Sequence, residues 1–148
     1  MNKYVILFCV FFCLATTVSG QEKKHALGLR YGILSQSNFE LSYQYYLNKT
    51  SRLEFGLGTA EYALQATAIY QKVGDLTAIT PGLNIYGGAG LLAGFHASKT
   101  GIGVVAQGGL GYNFKFPFQV SLDYRPKMFL PGQKIYYDDI SVGLRYKF

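Results

Sequence analysis

The last ten residues of the chain constrain its fold more than any other stretch. From Asp139 to Phe148, apolar or aromatic residues fill the even positions, and Asp, Ser, Gly, Arg and Lys fill the odd ones. Side chains of a β-strand point alternately to opposite faces, so this pattern predicts a strand with one apolar face and one polar face. Such a strand needs an apolar environment on one side and a polar environment on the other.

The first twenty residues have the layout of a secretory signal peptide. A lysine, an apolar stretch and a short run of small residues follow one another before Gln21. We therefore predict that residues 1–20 are cleaved and that residues 21–148 form one domain. Cys9 and Cys13 both lie in the predicted signal peptide, so no thiol is expected in the mature domain for a disulfide or for catalysis.

The same alternation recurs in seven segments before the last one. None of them is long and apolar enough for a transmembrane helix, and none has a sustained helical period. The predicted strands are 26–33, 39–46, 52–58, 65–73, 83–95, 102–114, 118–125 and 139–148, and the longest connection is predicted at 126–138. Strands with such short connections predict an all-β fold, an eight-stranded antiparallel up-and-down transmembrane β-barrel.

Three features predict that the apolar face is the outside of this barrel. The polar face carries most of the strand glycines, and the narrow interior of an eight-stranded barrel suits the thinner face. Apart from Lys72, the apolar face carries no charge, and a charge facing mid-bilayer lipid costs about 2–4 kcal/mol. Its aromatic residues gather at the strand ends, as the two lipid–water interfaces favour. The alternative is a soluble barrel with its glycines and charges outside.

The aromatic residues of the apolar face are predicted to form two rims. One rim would hold Tyr45, Tyr70, Tyr112, Phe114, Phe118, Tyr146 and Phe148, and the other would hold Tyr31, Phe39, Phe95 and Tyr124.

Segments 108–114 and 120–126 and the ending 144–148 resemble the small eight-stranded outer-membrane proteins of the OmpX and OmpA-barrel type. The resemblance is closest to the short-looped forms common in Bacteroidetes. It implies a Gram-negative outer-membrane location with both termini in the periplasm, and contact with outer-membrane lipids and lipopolysaccharide. It also implies that Tyr146 and Phe148 are the assembly signal that the barrel-assembly machinery reads. We expect a monomer and, because the early loops are shorter than those of OmpX, no fringe of protruding strands.

Charged residues on the polar face are predicted to meet in the lumen. They are Arg30, Glu40, Arg52, Glu54, Asp123, Arg125, Arg145 and Lys147. We expect an internal ion-pair network that fills the barrel, with Arg52, Glu54, Arg145 and Lys147 clustered towards the periplasmic end. A plugged lumen of this kind indicates a structural or surface-contact role. The alternative function is a narrow pore for ions or small solutes, gated by the lumenal Arg/Glu pairs.

The predicted 126–138 loop carries the candidate surface-contact residues. They are Lys127, Lys134, Tyr136 and Tyr137. Binding residues concentrate on loops held by a rigid scaffold, and lysines suit the phosphates of lipopolysaccharide. An ordinary solvated loop is the alternative.

The sequence favours neither catalysis nor a bound cofactor. His25 and His96 have no sequence-adjacent acid and serine that would indicate a triad, and two isolated histidines are poor evidence for a metal site. The glycine-rich runs at 87–90 and 108–111 do not open helices, so they predict no phosphate cradle. A sequence pI near 9.3 without a basic cluster does not indicate a nucleic-acid partner. We therefore expect no enzyme activity, cofactor, metal or nucleic acid.

Overall fold

The structure, a computed structural model, describes residues 23–34, 37–60, 63–130, 132 and 134–148. The predicted signal peptide lies outside these residues. The strands are β1 (His25–Gly32), β2 (Ser37–Asn48), β3 (Ser51–Ala60), β4 (Ala63–Asp75), β5 (Leu83–His96), β6 (Lys99–Asn113), β7 (Phe118–Tyr124), β8 (Lys127–Leu130), β9 (Lys134–Tyr136) and β10 (Ile140–Lys147). Among the described residues, no helix has the length and apolar character needed to cross a bilayer.

The strands close into a barrel with eight positions, all of them antiparallel. β1 to β6 pair in chain order, β6 pairs with β7, β7 with β10, and β10 with β1. β7 and β8 occupy one position, because both pair with β6 in the same register. The predicted eight-stranded up-and-down barrel is confirmed.

The register of the strands gives the barrel its stagger. Paired residues followed from Leu29 through β2, β3, β4 and β5 reach β6 at Ile102. Followed the other way, through β10 and β7, they reach β6 at Tyr112, ten residues further along the same strand. Closure with this stagger tilts the strands, and an eight-stranded barrel leaves an interior just wide enough for side chains.

Burial in this barrel is the reverse of burial in a soluble protein. The outward side chains of Leu29, Leu91 and Leu144 are 55%, 68% and 52% exposed. All four arginines of the chain face inwards and are at most 1% exposed. The apolar face is therefore the outside, as predicted, and the alternative with charges outside is wrong.

An aromatic belt surrounds part of the barrel end that carries His25 and Phe148, here called the terminal rim. Neighbouring ring centroids are 4.9–6.4 Å apart along the series Tyr112, Phe114, Phe116, Phe118, Tyr146 and Phe148. The opposite end, the distal rim, carries Tyr31 and Phe39, whose rings are 5.0 Å apart. Aromatic rings at both ends are the arrangement that two lipid–water interfaces favour.

The long loop predicted at 126–138 is wrong, because this segment contains β8 and β9. Pro126 lacks an N–H, but its carbonyl oxygen accepts a hydrogen bond from the Ala106 N–H at 3.1 Å. The ladder with β6 therefore continues past Pro126, with Lys127 paired to Val105. β9 then folds back on β8.

At the distal rim, the strands on one side of the barrel are longer than those on the other side. Pairing of β10 with β7 ends at Ile140 and Tyr124, with one further hydrogen bond from the Arg125 N–H to the Asp139 carbonyl. The line of β7 and β8 continues to Leu130 and stays paired with β6. On this side, β5, β6, β8 and β9 form a short extension, which the comparison of the early loops did not address.

Candidate functional site

The lumenal charge network is centred on Arg125. Its Nη1 atom lies 2.7 Å from Glu40 Oε1, and its Nη2 atom lies 2.6 Å from Glu54 Oε1. Nη2 also donates to Gln107 Oε1 at 3.1 Å. These side chains all point into the lumen because inward and outward positions alternate along every strand. Both ion pairs are buried, and neither carboxylate was assigned to Arg125 from the sequence.

Glu54 is shared between Arg125 and Arg145. Arg145 Nη2 lies 3.5 Å from both Glu54 carboxylate oxygens, and Gln44 Nε2 donates to Glu54 Oε2 at 2.6 Å. Arg145 is also held by the hydroxyls of Ser42 at 2.8 Å and Ser121 at 2.7 Å. The predicted pairing of Glu54 with Arg145 is thus present, and Arg125 is an additional partner.

A second group of ion pairs lies nearer the distal rim. Arg30 contacts Asp123 at 2.7 Å and Asp139 at 3.1 Å, while Lys127 contacts Asp139 at 2.7 Å. Burial opposes ionisation of Asp139, which lies between β9 and β10, but Arg30 and Lys127 lower the pKa of its carboxyl to about 2. Asp139 is therefore a carboxylate at neutral pH. Asp139 was predicted on the polar face of the last strand but not as a member of the network.

Lys127 is a correction to the predicted surface contacts. Its side chain is 5% exposed, and Nζ donates to Gln65 Oε1 at 3.1 Å in addition to its contact with Asp139. It belongs to the lumen because β8 continues the inward alternation of β7. Lys134 and Tyr137 are exposed as predicted, while the Tyr136 ring packs edge-on against Phe129 with centroids 5.9 Å apart.

The predicted four-residue cluster at the periplasmic end forms only in part. Arg52 Nε donates to Gln71 Oε1 at 2.5 Å, and its guanidinium lies 4.3 Å from the centre of the Tyr86 ring. Lys147 Nζ donates to Asn113 Oδ1 at 3.1 Å. Glu54 and Arg145 come together, whereas Arg52 and Lys147 contact neutral side chains.

An apolar cluster inside the distal half was not predicted. Ile69, Leu92 and Val105 are at most 3% exposed and pack against Phe129 of β8. They lie on the face that is otherwise polar, so alternation alone assigned no role to them. The signal in the sequence is an apolar residue at an inward position, such as Ile69 between Thr67 and Gln71.

The two histidines lie at opposite ends of the barrel. His25 Nδ1 is 2.7 Å from the Tyr43 hydroxyl at the terminal rim. His96 is exposed at the distal end of β5. Within the ranges that the structure describes, no three His, Cys, Asp or Glu side chains are grouped as ligands for a metal ion.

Comparison with known proteins identifies the fold. No protein-family model matches the chain. No curated protein matches it either. It is similar to the crystal structure of the N-terminal β-barrel domain of Pseudomonas aeruginosa OprF, with a TM-score of 0.66 and 17% identity over 86% of this chain and 100% of that chain. The likeness concerns the fold.

A second similar structure is Neisserial surface protein A (NspA). The TM-score is 0.50 and the identity 15%, over 84% of this chain and 93% of that chain. Both comparisons agree with the closed antiparallel barrel described above.

Proposed function

We propose that this protein is an integral outer-membrane β-barrel with a plugged lumen and a structural or surface-contact role. The exposed apolar face and the two aromatic rims support a bilayer environment, and the similarity to the OprF barrel domain and to Neisserial surface protein A supports the outer membrane. Export by the predicted signal peptide at residues 1–20 is part of this proposal.

The observation that carries the plugged lumen is the pair between Arg125 and Glu54. Arg125 follows β7, and Glu54 lies on β3, four positions away in a ring of eight. The two side chains therefore join opposite walls and cross the lumen between them. Gln107 and Gln71, which are hydrogen-bonded at 2.8 Å, fill the same level of the interior. Phe129 and the apolar cluster form a second layer towards the distal rim.

A narrow pore remains the second candidate function. In the described part of the chain, side chains alone fill the interior, and all of β1 to β7 and β10 belong to the wall. Rotation about side-chain bonds would let the lumenal arginines and glutamates exchange partners while the backbone stays in place. The same residues would then act as a gate for ions or small solutes.

Ion conductance of the refolded protein in a planar bilayer tests the plugged lumen. Folding is confirmed first by a boiling-dependent shift on a gel. We expect a silent bilayer for the wild type and openings for the double variant Arg125→Ala, Phe129→Ala, which removes both layers. Lys134→Ala, on the exposed end of β9, is the matched control and should remain silent. Discrete, reproducible openings of the wild type would contradict the plug and favour the pore.

The proposed partners are lipopolysaccharide and the barrel-assembly machinery. Lys134 and Tyr137 are the exposed residues proposed to contact lipopolysaccharide. Tyr146 and Phe148 are proposed as the assembly signal for the barrel-assembly machinery, and the hydrogen bonds between Phe148 and His25, at 2.9 and 3.1 Å, make this residue part of the closing seam. The proposed form is a monomer without catalytic activity.

A further inference from the structure

The terminal end of the barrel contains a cavity of about 810 Å³, here called the terminal vestibule. The strand turns at this end and residues 23–24 form its wall. Among the described residues that line it, one is anionic, Asp75, and six are cationic: Lys23, Lys24, Lys49, Arg52, Lys115 and Lys147. A concave site lined by one sign of charge concentrates counter-ions, because its low-dielectric walls focus the field.

Arg52 gives this vestibule a fixed donor. The residue is 1% exposed, and Gln71 holds its Nε atom at 2.5 Å while the Tyr46 hydroxyl holds Nη1 at 3.1 Å. The Tyr86 ring supports the guanidinium from one side. The remaining nitrogen, Nη2, is buried and has no hydrogen-bond partner in the described chain. A buried charged donor without a partner is costly, so an acceptor at this atom would stabilise the folded barrel.

Lys147 continues the positive charge from Arg52 towards the mouth. Its Nζ atom lies 4.8 Å from the centre of the Tyr46 ring, and the Arg52 guanidinium carbon lies 5.7 Å from the same ring. Tyr46 therefore contacts two of the cations that line the cavity. Lys23 and Lys24 are exposed at the opening.

We propose that the terminal vestibule binds a small soluble phosphate-bearing anion, with Arg52 as its buried anchor. Arginine offers a planar fork to phosphate, and lysines act as point charges around it. The lining residue Asn84 also has a buried Oδ1 without a partner, which suits the P–OH group of a monohydrogen phosphate. A volume of this size accommodates a small-molecule ligand.

A lipid phosphate headgroup has the same chemistry but fits the position less well. Bilayer lipid would lie against the outer, apolar face, whereas the vestibule is lined by the turns and by charged side chains. A soluble phosphate reaches it from the aqueous side without leaving water.

Titration of inorganic pyrophosphate into the refolded protein, in micelles of a zwitterionic detergent, tests this site by calorimetry. We expect saturable binding that Arg52→Gln weakens by about tenfold or more, since a charge-assisted hydrogen bond to the anion is lost. The double variant Lys23→Gln, Lys24→Gln should bind more weakly at low salt, and this loss should shrink at high salt. Lys99→Glu changes the net charge by the same two units at the exposed distal end of β6 and should bind like the wild type.

Each contrary outcome has a distinct meaning. Absence of saturable binding, or an unchanged affinity of a folded Arg52→Gln variant, would overturn the proposal. Equal losses in the Lys23/Lys24 double variant and in Lys99→Glu would show general charge attraction and would also overturn it. If Arg52→Gln fails to refold, the comparison of the two lysine variants decides. Binding of phosphatidylglycerol in mixed micelles without binding of pyrophosphate would assign the site to a lipid headgroup instead.

Discussion

At the scale of single residues, Glu54 is the lumenal carboxylate that two buried arginines share. It faces Arg125 and Arg145 from a fully buried position, and Gln44 fixes one of its oxygens. Sequence alternation predicted that Glu54 points inwards, but it did not predict the contact with Arg125, which is 71 residues away in the chain. That contact depends on the ten-residue stagger of the closed ring, and a different stagger would bring other side chains together.

Replacing Glu54 by Gln should lower the free energy of unfolding by about 3–5 kcal/mol, because two buried arginines lose their shared carboxylate while the side-chain shape is retained. Urea unfolding in zwitterionic micelles measures this loss. Asp138→Asn makes the same change of charge at an exposed position and should stay within about 0.5 kcal/mol of the wild type. Similar losses in both variants would contradict a specific role for the network.

At the scale of elements, the segment after β7 was predicted as one long loop, although it contains two short strands. Pro126 begins this segment, but it removes only its own missing N–H from the ladder, because its carbonyl oxygen still accepts from the Ala106 N–H. β8 is four residues long and β9 three, so neither has enough alternation to be recognised alone. The seven longer segments before Pro126 were placed correctly because each repeats the pattern several times.

Adjacent glycines in β5 provide a test of barrel closure. A Cβ atom on Gly88, which faces inwards, would clash with the backbone of Tyr70 and Gln71 on β4. A Cβ atom on Gly87, which faces outwards, would meet its nearest neighbour, the Gln107 carbonyl oxygen, at an ordinary 3.7 Å. The close approach of β4 and β5 thus requires glycine at position 88 but not at position 87.

We therefore expect Gly88→Ala to destabilise the barrel by about 1–3 kcal/mol, since the backbone must shift to admit the methyl group. Gly87→Ala, one residue earlier, should be close to neutral. Urea midpoints and the yield of the heat-modifiable folded form give the comparison. Equal stability of the two variants would show that the inner approach of β4 and β5 is not limiting.

At the scale of the whole molecule, the exposed apolar surface determines the solvent in which the barrel is stable. Leu144 faces outwards between Leu29 and Val120, near the middle of its strand. This distribution was predictable because a period of two is read directly from the sequence. The distal extension and the terminal vestibule were not predictable, because both depend on how strands of unequal length end after tilting around the ring.

Leu144→Arg should lower the free energy of unfolding in a bilayer by about 2–4 kcal/mol, because the charge would face lipid near mid-depth. Ile33→Arg adds the same side chain at the distal rim, where Ile33 is 54% exposed, and should cost about 0–1 kcal/mol. Unfolding in phospholipid vesicles measures both changes. A Leu144→Arg variant that folds as well as the wild type, in plain buffer without detergent, would contradict the membrane-spanning arrangement.

The distribution of ion pairs across the ring limits how this chain can enter a membrane. Arg30 on β1 finds its carboxylate on β7, and Glu54 on β3 finds its arginines after β7 and on β10. A single hairpin placed in lipid would carry these charges without their partners and would leave its edges without hydrogen bonds. Half-inserted intermediates are therefore high in free energy. If the barrel folds in a bilayer as proposed, we expect the early strands to insert together with the last ones, in one cooperative event that completes when β10 pairs with β1.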